Sequence, residues 1–342
     1  MNALDERHAP APPGRLRLAR VRGFGVRGLL AAALLLLGVC LLGPSASWTR
    51  PQHEFVVVID VTQSMMAADM RREGQQGGEP LSRLAEAKWA LERTLRRLPC
   101  GSKLGWGLFT EYRSFLLLEP VEVCEHRREL LSVLSQIDGR MAWTGNSEVA
   151  TGLYSGLKIA KALPSKPALV FVTDGQEAPP VSASYRPSDE GAVRVAPGLI
   201  VGVGGMLLVP IPKLDVEGRA YGYWQADEVM QVDPRSLGRG GSVAGERMAD
   251  DGGAPSVMLG ATPGTEHRSA LRESYLQLLA AETGLQYQRL ATPEALYAAM
   301  TDARLAHPVQ ARVDLRWVFA LAALLCIAAV YLMPKPLRSG AR

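Results

Sequence analysis

The stretch that decides the fold is EFVVVIDVTQSM, residues 54–65. Its first half is a short run of β-branched and apolar residues, which reads as a strand buried on both faces. Its second half is different in kind. Asp60, Thr62 and Ser64 put an oxygen on every other residue just past the strand, so one turn of the loop can aim several oxygens at a single point. A second segment repeats this design. ALVFVT (Ala168–Thr173) is another buried strand, and it runs into Asp174-Gly175.

Outward from these two strands the chain alternates. Leu84, Ala87, Leu91, Leu95 and Leu98 recur at helical spacing up to Pro99, after a Gly-rich loop at Glu73–Pro80. Lys103–Phe109 and Arg113–Leu118 read as strands joined by the turn Thr110-Glu111-Tyr112, with helices expected at 125–137 and 148–163. Gly198–Gly204 reads as a strand and 205–267 as a long irregular insertion. A helix is expected over Ser269–Thr283 with Gly284 as its C-cap, then a strand at Leu285–Leu290. Thr292 and Pro293 open a last helix, expected to run to about Arg304. Strands alternating with helices of this size imply an α/β fold with a doubly wound, mostly parallel sheet, here with one antiparallel edge strand. The domain is expected to cover 52–305.

The tails have another character. The chain of 342 residues carries a formal net charge of +4, but residues 1–27 hold +4 and residues 334–342 hold +3, which leaves −3 between them. The mildly acidic middle argues against nucleic acid as a partner. Next to the basic tails lie two uncharged apolar runs, Gly28–Gly43 with a softer continuation to Trp48, and Trp317–Met333. They predict transmembrane helices at 28–48 and 317–333, with Trp48, Trp317 and Tyr331 at the interfaces. The positive-inside rule puts both tails in the cytoplasm and 49–316 outside, in the periplasm of a bacterial inner membrane. Ser45-Ala46-Ser47 resembles a small-residue cleavage site, so the first run reads either as an uncleaved anchor or as a signal peptide.

Cys40 and Cys326 lie in the apolar runs, whereas Cys100 and Cys124 lie in the exported part. If Lys103–Phe109 and Arg113–Leu118 pair as a hairpin, Cys100 and Cys124 flank its open end. A disulfide there is expected to contribute about 3 kcal/mol.

Open α/β sheets bind ligands outside the carboxyl ends of their strands, and the loop Thr144-Gly145-Asn146-Ser147 belongs to that edge. Every candidate donor is an oxygen, which suits Mg²⁺ or Ca²⁺. Asp60 lacks the second carboxylate two residues on that a phosphatase nucleophile needs, and Ser64 has no evident activating histidine, so catalysis is not the favoured reading.

Taken together, DVTQSM, WTGNSEVATGL and VFVTDG resemble the metal-ion-dependent adhesion site of von Willebrand factor A domains. Thr62 stands where that family usually has serine, and Ser147 where many members have glycine. The resemblance implies Thr62, Ser64 and Thr144 as hydroxyl ligands of a divalent cation, Mg²⁺ first and Ca²⁺ or Mn²⁺ as alternatives. It implies Asp60 and Asp174 as carboxylates acting through water, and one coordination position left for an acidic residue of a partner protein. Trp143 and Trp224 are expected on a partner-facing surface, or as packing beneath loops. PIPKLDVEGRAYGYW (Pro210–Trp224) resembles a hairpin insert of aerotolerance (Bat-type) membrane proteins. LPCGSKLGWGLFTEYRSFLL and LVFVTDGQEAPP are similar to accessory proteins of the methanol dehydrogenase (Mxa-type) cluster. Those resemblances imply a binding or assembly module rather than an enzyme. Its implied company is other membrane proteins of the family and an ATPase of the MoxR type.

Overall fold

The computed structural model describes residues 15–72, 79–182, 187, 196–232, 258–259 and 264–332. Most of the Gly-rich loop, most of the insertion beyond 232, and both extreme tails lie outside them. The chain divides into two units, Pro51–His307 and the segments on either side of it.

The main strands are β1 (Ser45–Asp60), β2 (Lys103–Thr110), β3 (Arg113–Glu122), β4 (Ala168–Thr173), β5 (Gly198–Gly202), β6 (Gln286–Arg289) and β7 (Ala306–Asp314). The helices are α1 (Arg15–Leu41), α2 (Arg83–Arg97), α3 (Arg127–Gln136), α4 (Val149–Ala162), α5 (Glu273–Thr283), α6 (Pro293–Met300) and α7 (Arg316–Leu332). The sheet runs in the order β6-β5-β4-β1-β2-β3. All neighbours along it are parallel except β2 and β3, so the antiparallel strand sits at the edge as the sequence implies. The chain winds from β1 out to β3, then returns past β1 to build β4, β5 and β6. The reversal puts the ends of β1 and β4 side by side, where open sheets of this kind hold their ligands.

Both faces of the sheet are covered, which explains why Phe55–Ile59 of β1 reads as an unbroken apolar run. Phe55, Val57 and Ile59 pack in one core with α2, α3 and α6 residues such as Leu91, Leu130 and Leu296. Val56 and Val58 pack in the other with Leu153 of α4 and Leu276 of α5. Trp106 is fully buried on β2, and its Nε1 donates to the Leu130 carbonyl at 3.0 Å. Gly105, just before it, has a structural reason: a Cβ there would lie 2.6 Å from the Leu118 carbonyl, where β3 bulges across. Beyond the open end of this hairpin Cys100 and Cys124 form a disulfide, with 5.3 Å between their Cα atoms.

Several boundaries differ from expectation. Ser269 is not helical but ends a short strand, Arg268–Ser269. It pairs antiparallel with Val209–Pro210, and α5 starts only at Glu273. The last helix stops at Met300, with a 3-10 turn at Ala303–Leu305 beyond it. The expected hairpin of the insertion is present, Pro212–Leu214 against Ala220–Tyr223.

In the other unit α1 packs against α7, and the Leu315 amide donates to the Pro44 carbonyl at 2.9 Å. The helix expected over 28–48 ends at Leu41, because Gly43 takes φ +64° and Pro44 comes next. Ser45–Trp48 belongs instead to β1. Among the described residues no helix is long and apolar enough to cross a membrane. The 17 residues of α7 rise about 26 Å, against a bilayer core of about 30 Å.

Candidate metal centre

Asp60 ends β1 and is fully buried. The chain then folds back on it. Both the amide and the hydroxyl of Thr62 donate to Asp60 Oδ1, at 2.9 and 2.6 Å, while Thr173 Oγ1 donates to Asp60 Oδ2 at 2.6 Å. A 3-10 turn, Gln63–Met66, brings Ser64 round. Its Oγ lies 3.3 Å from Thr62 Oγ1 and donates to Asp174 Oδ1 at 3.2 Å. Four of the five expected ligands thus form one hydrogen-bonded row, Asp60–Thr62–Ser64–Asp174, across the ends of β1 and β4.

Beneath the row lies a residue that the sequence did not single out. Arg83 opens α2 and is completely buried. Its Nη1 donates to Asp174 Oδ2 and to Ser269 Oγ, both at 2.6 Å. Its Nη2 donates to Asp69 Oδ2 at 2.6 Å and to the Ser269 carbonyl at 3.1 Å. Burial works against the guanidinium charge, and Asp174 and Asp69 more than offset it. Asp69 in turn accepts from the Gly205 amide at 2.9 Å. One cation therefore holds the metal-edge carboxylate and both roots of the insertion.

The third loop departs from expectation. Thr144 Oγ1 accepts from the Asn146 amide at 3.2 Å, and no described hydrogen bond joins it to the row. Ser147 takes the inner place. Its backbone exchanges two hydrogen bonds with Ala178, both at 2.7 Å, and forms a bridge with Glu111. Its side chain is buried, and its Oγ has no hydrogen-bond partner among the described residues. Thr62, Ser64 and Ser147 line one cavity of about 280 Å³, whereas Thr144 is not among its walls. The signal that separates the two hydroxyls is position. Ser147 sits two residues before α4 and is stitched to two neighbouring segments, whereas Thr144 lies in the open part of the loop.

Thr62, Ser64 and Ser147 give three hydroxyls, and Asp60 and Asp174 give two carboxylates behind them. An all-oxygen set of this kind fits a hard divalent cation. A buried hydroxyl without a partner calls for an explanation, and an ion in the cavity supplies one. The insertion forms the opposite wall through Ile211, Trp224, Val229 and Met230. Trp224 is half-buried, donates from Nε1 to Gln63 Oε1, and carries Lys213 Nζ at 5.0 Å over its ring. Trp143 is 56% exposed, donates to Glu111 Oε2 at 2.9 Å and meets Phe115 edge-on at 5.0 Å.

No protein-family model matches the sequence, and no curated protein matches it. Solved structures do. An aerotolerance-related membrane protein from Bacteroides fragilis is similar over 74% of this chain and 98% of its own, at 17% identity and a TM-score of 0.45. A von Willebrand factor type A protein from Catenulispora acidiphila is similar over 80% of this chain and 43% of its own, at 12% identity and TM-score 0.34. The manganese-loaded TRAP protein of Plasmodium vivax is similar over 79% and 81%, at 12% and 0.36. The chain is similar to von Willebrand factor A-type proteins. At these scores the fold rests on the strand order and the geometry of the site itself.

Two buried carboxyls give this von Willebrand factor A-like edge its pH character. Burial, and then the charge of Asp174, push Asp60 far above the usual carboxylate range, while hydrogen bonds from Thr173 and Thr62 hold it back. Glu177 lies on the cavity wall and accepts from the Val149 and Ala150 amides at 2.9 and 3.0 Å, and from the Tyr275 hydroxyl at 2.6 Å. Burial pushes it up from 4.5 to about 7, against those donors. A carboxyl whose pKa is raised by folding stabilises the fold most when protonated. Its contribution is full below pH 4.5 and is lost as the pH rises to about 7. That loss is at most about 3 kcal/mol. In metal-free buffer, thermal unfolding is expected at a lower temperature at pH 7.5 than at pH 5. Glu177→Gln is expected to flatten that slope, and an unchanged slope in the variant would rule Glu177 out as its source.

Proposed function

We propose that this chain is a membrane-anchored von Willebrand factor A-type binding module that holds an acidic residue of a partner protein through a divalent cation. Mg²⁺ is the first choice, with Ca²⁺ or Mn²⁺ as alternatives. The reading extends to a role in assembly or maturation of an envelope complex, such as a methanol dehydrogenase-type enzyme. The domain then faces the periplasm, beside other membrane proteins of its kind and a MoxR-type ATPase. The anchors in this reading are the apolar runs that begin at Gly28 and at Trp317.

The observation that carries it is the row Asp60–Thr62–Ser64–Asp174, beside a cavity lined by Thr62, Ser64 and the buried Ser147. Thr62, Ser64 and Ser147 are the direct ligands in this reading, with Asp60 and Asp174 behind them. The cation supplies a Lewis-acidic coordination position for an incoming carboxylate. The protein's part is to hold the hydroxyls in register and keep their lone pairs inward. Among the described residues no histidine or cysteine lines the cavity.

One observation favours a second reading. Arg83 already neutralises Asp174, so the edge can stand without a cation, as it would in a purely structural scaffold of an aerotolerance-type membrane complex. Manganese titration followed by electron paramagnetic resonance separates the two. The binding reading expects one Mn²⁺ site, weakened at least about tenfold by Asp60→Asn and by Ser64→Ala. A wild-type protein that binds no Mn²⁺, or variants that bind it equally well, would leave the scaffold reading.

A further inference from the structure

The cavity beside the candidate metal site has walls that the oxygen ligands do not explain. Its floor is Thr62, Ser64 and Ser147, but Ile211, Trp224, Val229 and Met230 from the insertion face it, with Pro179 beside them. This wall is anchored to the floor, because Trp224 Nε1 bonds to Gln63, the residue between Thr62 and Ser64. At roughly 30 Å³ per water, the cavity volume of about 280 Å³ holds about nine waters. That is room for one carboxyl group and one branched aliphatic chain.

The acidic residues on the wall do not ask for a basic ligand. Glu177 is engaged by two helix amides and Tyr275. Glu228 accepts from Lys213 and from the Gln225 amide, and Glu266 from Gln176 Nε2. What the cavity leaves open is apolar surface on the side, above the floor of Thr62, Ser64 and Ser147.

We propose that the insertion makes this edge selective for a protein segment in which an acidic residue stands next to an aliphatic one. The carboxylate goes to the floor and the aliphatic side chain goes against Ile211, Val229 and Trp224. The proposal rests on the metal-binding function proposed for the site and adds to it a second, apolar determinant.

The test uses the full chain in detergent, loaded with Mn²⁺, with displacement of metal-bound water followed by proton relaxation. The probes are acetate, 3-methylbutanoate, N-acetyl-Ala-Asp-amide and N-acetyl-Leu-Asp-amide. Each buried methylene is worth about fourfold in affinity, so with partial burial 3-methylbutanoate is expected to bind about tenfold tighter than acetate. The Leu peptide is expected to exceed the Ala peptide by a similar ratio. Ile211→Ser and Val229→Ser are expected to bring both ratios towards one. The ratio is the reading, so any change in Mn²⁺ affinity is seen separately in the metal titration. Acetate that binds with ratios near one overturns the inference and leaves the metal reading standing. Selectivity confined to the free acids overturns the protein segment as occupant. No displacement by any carboxylate overturns both.

Discussion

Arg83→Met is expected to destabilise the main domain by about 3–5 kcal/mol, the cost of leaving buried charges without their counter-ion. The side chains of Arg83 and Asp174 are both 0% exposed and Asp69 is 6% exposed, so water cannot replace the lost guanidinium. Three other groups lose a donor at the same time: the Ser269 hydroxyl, the Ser269 carbonyl and the second oxygen of Asp69. Arg83→Lys is expected to recover only part of the loss, because one ammonium cannot reproduce the planar fork that reaches Asp69, Asp174 and Ser269 together. Chemical denaturation measures the loss. A change below about 1 kcal/mol would show that Asp174 finds another partner. If the edge binds a divalent cation, added Mg²⁺ is expected to raise the unfolding temperature more in Arg83→Met than in the wild type. In the variant the ion is the remaining counter-charge to Asp174.

The second large effect concerns Gly152, on the face of α4 that packs on the sheet. A Cβ there would lie 2.0 Å from Phe109 Cε2 and 2.2 Å from Cδ2. The Phe109 ring is fully buried and packs 5.4 Å from Phe171, so it has little room to retreat. Gly152→Ala would gain helix propensity worth about 1 kcal/mol, yet a net loss of about 1–3 kcal/mol is expected because overpacking dominates. Gly152→Val should cost more. The effect should reach the candidate site, because Ser147 lies two residues ahead of α4 and a helix pushed off the sheet carries that hydroxyl with it. Pairing Gly152→Ala with Phe109→Leu should restore stability if the ring is the obstacle. Two additive losses would place the cause elsewhere.

Much of the site was legible because its signals are local. FVVVI announces a strand covered on both faces, and the alternating oxygens of Asp60, Thr62 and Ser64 mark the loop at its end as one where oxygens converge. The buried run before Asp174 does the same for β4. The features that escaped were non-local. Arg83 reads as an ordinary first-turn arginine, since its partners lie 14, 91 and 186 residues away. Thr144 and Ser147 offer the same hydroxyl three residues apart, and only the bridge to Ala178 decides which one faces the cavity. Ser269 looked helical because α5 begins close by, but the ladder of Arg268–Ser269 with Val209–Pro210 lies across the insertion. β7 went unread although Val309, Ala311 and Val313 alternate with Gln310, Arg312 and Asp314, because the alternation is short and follows Pro308 directly.

The Arg83 network has a consequence for how such a protein can change. Asp69 holds Gly205 where the insertion leaves the sheet, and Arg83 holds Ser269 where it returns. The distance between the two ends is thus fixed by residues outside the insertion, and lengthening a loop between fixed ends adds little closure entropy. Segments between those clips can be exchanged, lengthened or shortened while the row of oxygens keeps its shape. Under the proposed binding function, the insertion would be free to diversify while the row of oxygens stays constant.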